Sequence, residues 1–110
     1  MVSQRTIVLV PFPYSDQTGK KVRPALVISN DVFNKREDVI ICALTSRTAS
    51  RPYSLLLTSK DAVHKNLQET SLIRVDALTR IKKDLILKEI DSVTETTFKH
   101  VLQIVDSMFR

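Results

Sequence analysis

The chain has 110 residues, of which 43% are hydrophobic and 26% charged. That suffices for one domain, 1–110, with one modest core, and it excludes a wholly disordered chain. No run of about 18 apolar residues is present, which excludes a membrane-spanning helix, and the single cysteine, Cys42, excludes a disulfide framework and a thiolate metal site.

The first strand signal is Ile7-Val8-Leu9-Val10, a β-branched run that Pro11 and Pro13 are expected to close. No charged leader or small-residue cleavage site is visible up to Pro13, so a cytoplasmic location is expected. Residues 11–21 read as a loop, in which Gly19 supplies a backbone conformation that other residues resist. Pro24 to Ile28 is nearly continuous in apolar residues and predicts a strand buried on both faces. Asn30-Asp31 opens a turn or short helix through Lys35. Val39 to Leu44 is a third strand, and the polar, basic stretch Thr45 to Pro52 is a loop. Ser54 to Leu57 makes a short strand, Ser59-Lys60-Asp61 one helical turn, and Asn66 a left-handed turn residue. Ser71 to Leu78 and Leu85 to Ile90 are strand-like. The last segment changes period: Phe98, Val101, Leu102, Val105 and Phe109 fall on one helical stripe, and Ser92 with Glu95 matches a capping box, predicting a helix over about 94–109. Strands first and a helix last predict an α+β domain, mainly β, or a barrel with an appended helix.

Seventeen Lys+Arg face 12 Asp+Glu, for a net charge of +5. The excess is uneven. Residues 1–55 hold eight bases (Arg5, Lys20, Lys21, Arg23, Lys35, Arg36, Arg47, Arg51) and four acids (Asp16, Asp31, Glu37, Asp38), while the second half holds nine and eight. A basic half suits a polyanion such as nucleic acid, an acidic protein tail or a membrane surface. It equally suits simple solubility, since a net charge of about 2–8 is ordinary for a small domain.

Among residues able to carry chemistry, His64 and His100 have no partner pattern and read as solvated side chains. Arg74 and Asp76 sit two apart on a strand and share a face with Leu72, while Ile73, Val75 and Ala77 point the other way, toward a core. By spacing alone they are a surface ion pair. Arg23 heads the second strand, either as a strand-end charge that keeps an edge soluble or as a phosphate clamp, since guanidinium matches two phosphate oxygens. Thr45-Ser46 ends the third strand beside Arg47 and Arg51, as a polar turn or as phosphate contacts. The aromatic residues Phe12, Tyr14 and Tyr53 lie by the basic loops, where rings either stack on single-stranded RNA bases or, for Phe12, fill the core. Cys42 reads as a small core residue.

Taken together, the segments are sharper. Ile7 to Pro13, Gly19-Lys20, Arg23-Pro24-Ala25-Leu26-Val27-Ile28-Ser29, Leu44-Thr45-Ser46 and Ser71-Leu72-Ile73-Arg74-Val75-Asp76 resemble, in order and spacing, the MazF/PemK (Kid) family of toxins. The resemblance implies a small SH3-like β-barrel of MazF/CcdB type with a C-terminal helix, working as a homodimer. It implies a ribosome-independent endoribonuclease of a type II toxin–antitoxin system that cuts single-stranded mRNA without metal or other cofactor. It also implies a cognate antitoxin with an acidic tail, with any DNA contact made only through the antitoxin complex. By resemblance Arg23, Thr45, Arg74 and Asp76 are catalytic, and Phe12, Lys20, Lys21, Ser46, Arg47, Arg51 and Tyr53 contact RNA. There are two departures. The family's usual Gly-Asp before the first strand is Arg5-Thr6 here. The first-loop histidine of the PemK branch has no counterpart, so either Lys20 or Lys21 supplies its charge or the role is absent. The competing readings are a non-enzymatic gyrase poison of the CcdB kind and an SH3-like binding module for an acidic peptide.

Overall fold

The computed structural model describes residues 2–13, 20–67 and 69–110. Six strands form one antiparallel sheet: β1 (Thr6–Pro13), β2 (Lys20–Val27), β3 (Asp38–Thr45), β4 (Ser54–Leu57), β5 (Ser71–Lys82) and β6 (Lys88–Ser92), followed by the helix α1 (Glu95–Ser107). Their spatial order is β4-β5-β3-β2-β1-β6. The edge strands β4 and β6 are drawn toward each other by the chain after β4. Ala62 bridges to Val93, and the Val63 N–H donates to the Ser92 carbonyl at 2.8 Å. The sheet therefore curls into a half-barrel, as expected of a mainly β chain with one terminal helix.

Alternation along the strands buries both faces. Ile7, Leu26, Cys42, Leu44, Ile73 and Val75 form a cluster that Phe98 and Val101 of α1 cover. Val8, Val10, Ala25, Val27, Ile41 and Ala43 form a second cluster on the opposite face. The apolar second strand is thus buried on both sides, as its sequence predicts, and Cys42 is core.

Several expectations need correction. β1 continues through Pro13 instead of stopping at Pro11, and β2 begins at Lys20. Pro11 and Pro13 are two apart, so both ring nitrogens face the side on which Leu9 accepts from the Leu87 N–H, and β6 pairs only with Thr6 to Leu9. No ladder bond is lost there. The middle of the expected loop, with Tyr14, Asp16 and Gly19, lies outside the described residues. The left-handed residue of the 62–66 turn is Lys65, at φ 59°, and not Asn66. The Asn66 N–H instead donates to Asp91 Oδ2 at 2.8 Å.

Helix α1 is not capped by Ser92, which is the last residue of β6. Thr94 caps it, its Oγ1 accepting from the Thr97 N–H at 3.3 Å. The inner stripe is Phe98, Val101, Ile104, Val105 and Met108. Leu102 and Phe109, expected on that stripe, are 41% and 76% exposed.

The strand expected over Ser71 to Leu78 runs on to Lys82 as one element with a bulge, and the strand expected from Leu85 begins at Lys88. Ala43 pairs with Arg74 but its neighbour Cys42 pairs with Leu78, so residues 75–77 have no counterpart on β3. An odd excess reverses the alternation. Before it, Ile73 and Val75 belong to the helix-side cluster. After it, Ala77 and Ile81 pack in the opposite one, so Ala77 does not share the side of Ile73. The bend keeps both halves of β5 in phase with β3.

Candidate active site

The ladder between β2 and β3 ends at Ala25 paired with Ala43, both on the face away from α1. Two residues further along, on that same face, stand Arg23 on β2 and Thr45 on β3. Arg74 lies directly across from Ala43 on β5. Opposed side chains in a sheet are about 5 Å apart at Cβ and diagonal ones about 7–8 Å. Three strands therefore deliver two guanidinium groups and a hydroxyl to one end of one face, although 22 residues separate Arg23 from Thr45 and 29 separate Thr45 from Arg74.

Asp76 rides the crest of the β5 bulge. Its Oδ1 lies 3.6 Å from Arg74 Nε, with both side chains about one-third exposed. That is an ion pair too long for a hydrogen bond, and the buried Arg74 Nε has no hydrogen-bond partner among the described residues. Leu72, expected to be outward beside this pair, is only 3% exposed. Thr45 Oγ1 accepts from the Arg47 N–H at 3.2 Å, which fixes the rotor and leaves the hydroxyl proton for an incoming oxygen. Burial first, and the Asp76 carboxylate second, push the Cys42 thiol up to about 12, with a backbone hydrogen bond to Leu26 pulling weakly the other way. Cys42 is therefore no nucleophile.

The loop from Ser46 to Tyr53 borders the site. Ser46, Arg47, Arg51 and Tyr53 are all exposed. Tyr53 holds a left-handed φ of 57°, and its carbonyl accepts from the Val75 N–H at 3.0 Å, tying this loop to the bulge that carries Asp76. Phe12 packs in the core cluster opposite α1 and does not present an open ring. Lys20 and Lys21 head β2 opposite Pro13 and Phe12, and their side chains lie outside the described residues. His64 and His100 are exposed, His64 in the turn bonded to Asp91 and His100 on α1. Where β2 begins and β3 ends, an open cleft of about 430 Å³ is lined by Val22, Arg23, Pro24, Leu44, Ser46, Glu69 and Ser71. Glu69 and Ser71 carry no site signal in the sequence: Ser71 is the first residue of β5 and Glu69 lies just before it.

The family model for the PemK-like, MazF-like toxin of type II toxin–antitoxin systems matches residues 3–109. The chain belongs to this family. Among curated proteins no significant match is found. Solved structures share the PemK/MazF-type fold seen here at low identity. An endoribonuclease in complex with its cognate antitoxin from a mycobacterial species is 18% identical, with a TM-score of 0.80 over 97% of this chain and 93% of its own. The MazE-MazF complex of Deinococcus radiodurans is 19% identical at 0.78, covering 97% and 94%. The Mycobacterium tuberculosis toxin MazF-mt6 is 14% identical at 0.77, covering 96% of each chain.

Within this PemK/MazF frame the Arg5-Thr6 departure keeps the turn. Arg5 takes φ 77°, a region that favours glycine, and is held there by its N–H to the Val27 carbonyl at 3.0 Å and its Nη1 to the Val93 carbonyl at 3.4 Å.

Proposed function

We propose that this PemK/MazF-like chain, as a single toxin domain, is an endoribonuclease that cuts single-stranded RNA, with mRNA as the substrate class. The observation that carries the reading is the convergence of Arg23, Thr45 and Arg74 on one end of one sheet face, with Asp76 beside Arg74. The likeness to a structure described as an endoribonuclease supports it.

RNA carries its own nucleophile. The 2′-hydroxyl attacks the adjacent phosphorus, the P–O5′ bond breaks, and the products are a 2′,3′-cyclic phosphate and a 5′-hydroxyl. The step needs a base for the 2′-OH proton, positive charge against the phosphorane, and a proton for the departing oxygen. Asp76 is the base, oriented by Arg74. Arg23 and Arg74 hold the phosphate oxygens, whose charge grows in the transition state. Thr45 donates its hydroxyl proton to one of them. A guanidinium stays protonated to about pH 12 or above, so the arginines act as electrostatic stabilisers more than as acids, and water supplies the proton to the departing 5′-oxygen.

The two guanidinium groups can supply the charge, so cleavage without a metal is expected. The partner is an antitoxin with an acidic segment drawn to the same cations, in line with the neighbours solved as antitoxin complexes. The toxin works in the cytoplasm as a homodimer. Incubating the purified protein with mixed-sequence RNA in EDTA tests the reading. New 5′-hydroxyl ends that vanish with Arg23→Ala are expected. Intact RNA, with DNA gyrase inhibited instead, would overturn it in favour of a CcdB-like poison.

A further inference from the structure

The two edges of the sheet are finished differently. Along β6 the outward carbonyls are taken: Ser92 accepts from the Val63 N–H at 2.8 Å and Ile90 from Asn66 Nδ2 at 3.1 Å. Along β4 they are open. The Val75 N–H donates to the Tyr53 carbonyl at 3.0 Å, and the register runs on from Ser54 opposite Arg74 to Leu57 opposite Ser71. Hydrogen-bonded and non-bonded pairs alternate in an antiparallel ladder. Tyr53, Leu55 and Leu57 therefore turn their N–H and C=O groups to β5, while Ser54 and Leu56 turn theirs outward. β4 is the last strand of the sheet, and among the described residues no backbone bond meets those outward groups. The open stretch ends at Thr58, whose N–H donates to Asp61 Oδ2 and whose carbonyl accepts from the Asp61 N–H. Ser54–Leu57 is short but holds neither charge nor proline, two usual guards of an open edge.

A row that alternates donor and acceptor matches a peptide backbone. It suits RNA poorly, because phosphates would meet the carbonyls as well as the N–H groups. The side chains select further. Ser54 stands opposite Arg74, and Leu56 opposite Leu72, itself opposite Thr45, so both lie on the face of the proposed catalytic row. A strand added beside β4 sets one residue across from Ser54, two strand spacings or about 10 Å from Arg74. Ser54 is small, so an acidic side chain there can reach over it to the guanidinium. A second residue stands across from Leu56, which is 47% exposed and is covered if that residue is apolar. Charge agrees. The row and the segments flanking β4 bring Arg23, Arg47, Arg51, Lys60, Lys65 and Arg74 against Asp61, Asp76 and Glu69, and Asp61 is already held by Thr58 and Thr97.

We propose that the open edge of β4 is the docking site for an extended acidic segment of a partner protein, which joins the sheet as a further strand and carries a carboxylate to Arg74. The proposal rests on the antitoxin reading above and adds how that segment is seated.

The probe is a labelled synthetic peptide, Thr-Leu-Thr-Glu-Thr-Glu, which runs antiparallel to β4 with Leu across from Leu56 and the first Glu across from Ser54. Its binding is followed by fluorescence anisotropy. N-methylation at Leu and the first Glu removes the N–H groups that meet the Leu56 and Ser54 carbonyls, and should weaken binding about tenfold or more. Methylation at the Thr between them, whose N–H points away, should change little. No binding of the parent peptide overturns the proposal. Equal binding of the two methylated forms overturns strand addition but leaves an acidic partner standing. A peptide with Lys in place of both Glu that binds as well as the parent removes the acidic partner itself. On the protein side, Leu56→Pro deletes an outward N–H and no bond to β5, so the sheet should stay folded and bind the parent peptide about tenfold more weakly. Unchanged peptide binding by the folded variant overturns the proposal. So does RNA binding lost in step with the peptide, which gives the edge to RNA, or a dimer turned monomer in sedimentation, which gives it to a second copy. If the variant unfolds, the methylated peptides decide alone.

Discussion

Two regions of the sheet handle charge in opposite ways. At the seam that joins the edges of the half-barrel, two aspartates are held by hydrogen bonds. Asp91 is only 5% exposed, and its oxygens accept from the backbone N–H groups of His64 at 2.9 Å, Asn66 at 2.8 Å and Ser92 at 2.7 Å. Asp61 accepts from the Thr58 N–H at 2.8 Å and the Thr97 hydroxyl at 2.7 Å, linking the turn after β4 to α1. At the proposed catalytic row, Arg74 Nε is buried without a hydrogen bond among the described residues and sits 3.6 Å from its counter-ion. Groups satisfied within the chain hold the fold, and groups left short of partners wait for a ligand. The seam should therefore govern stability and the row activity.

The strongest challenge to that division is mutation of the row. Arg23→Ala and Arg74→Ala should each lower RNA cleavage by about 10²–10³-fold while urea unfolding midpoints stay close to the natural protein's. A variant that unfolds in step with its lost activity erases the distinction. At the seam the converse holds. Asp91→Ala leaves three part-buried N–H groups unanswered and should cost about 2 kcal/mol, read by urea unfolding, with the folded fraction still cutting RNA.

Acid titration sharpens the contrast. Burial pushes the Asp91 carboxyl upward, but the three backbone N–H groups outweigh it and hold the group below its ordinary 3.8. For Asp61, too, burial acts upward and is overcome by its bonds to Thr58 and Thr97. A lowered folded-state value means the stabilisation is fully present above the unfolded value and is lost as pH falls through the folded one. The unfolding midpoint should hold steady from pH 7 to about 5 and drop steeply below about 4, and Asp91→Asn should flatten that drop. Two smaller effects remain. Arg5→Gly relieves a left-handed arginine and should gain at most about 1 kcal/mol, measured by thermal unfolding. Cys42, buried with its thiol near 12, should resist alkylation at pH 8 in the native state, as counted by intact-mass spectrometry.

Much of this was legible in the residues because local chemistry and final structure agree. The run from Pro24 to Ile28 has apolar side chains for both faces and finds a core on each. Thr58 and Asp61 complete the one-turn helix foreseen at Ser59 to Asp61. The failures occur where a distant partner decides. Pro11 looks like a stop until the reach of β6 is known. Ser92 looks like a cap until β6 claims it. For the site, the residue types were legible singly, but the placing of Arg23 beside Thr45 and Arg74 depends on strand order 2-3-5, which no local pattern encodes.

The unmatched segment Val75-Asp76-Ala77 also limits how this polymer can change in length. Deleting or inserting one residue there would turn every side chain of one half of β5 over, sending Arg74 inward or Ile81 to the wrong layer. Only edits that add or remove residues in pairs preserve the phase. Related chains that vary in size at this point should differ by even numbers, a parity rule that sequence comparison alone can check.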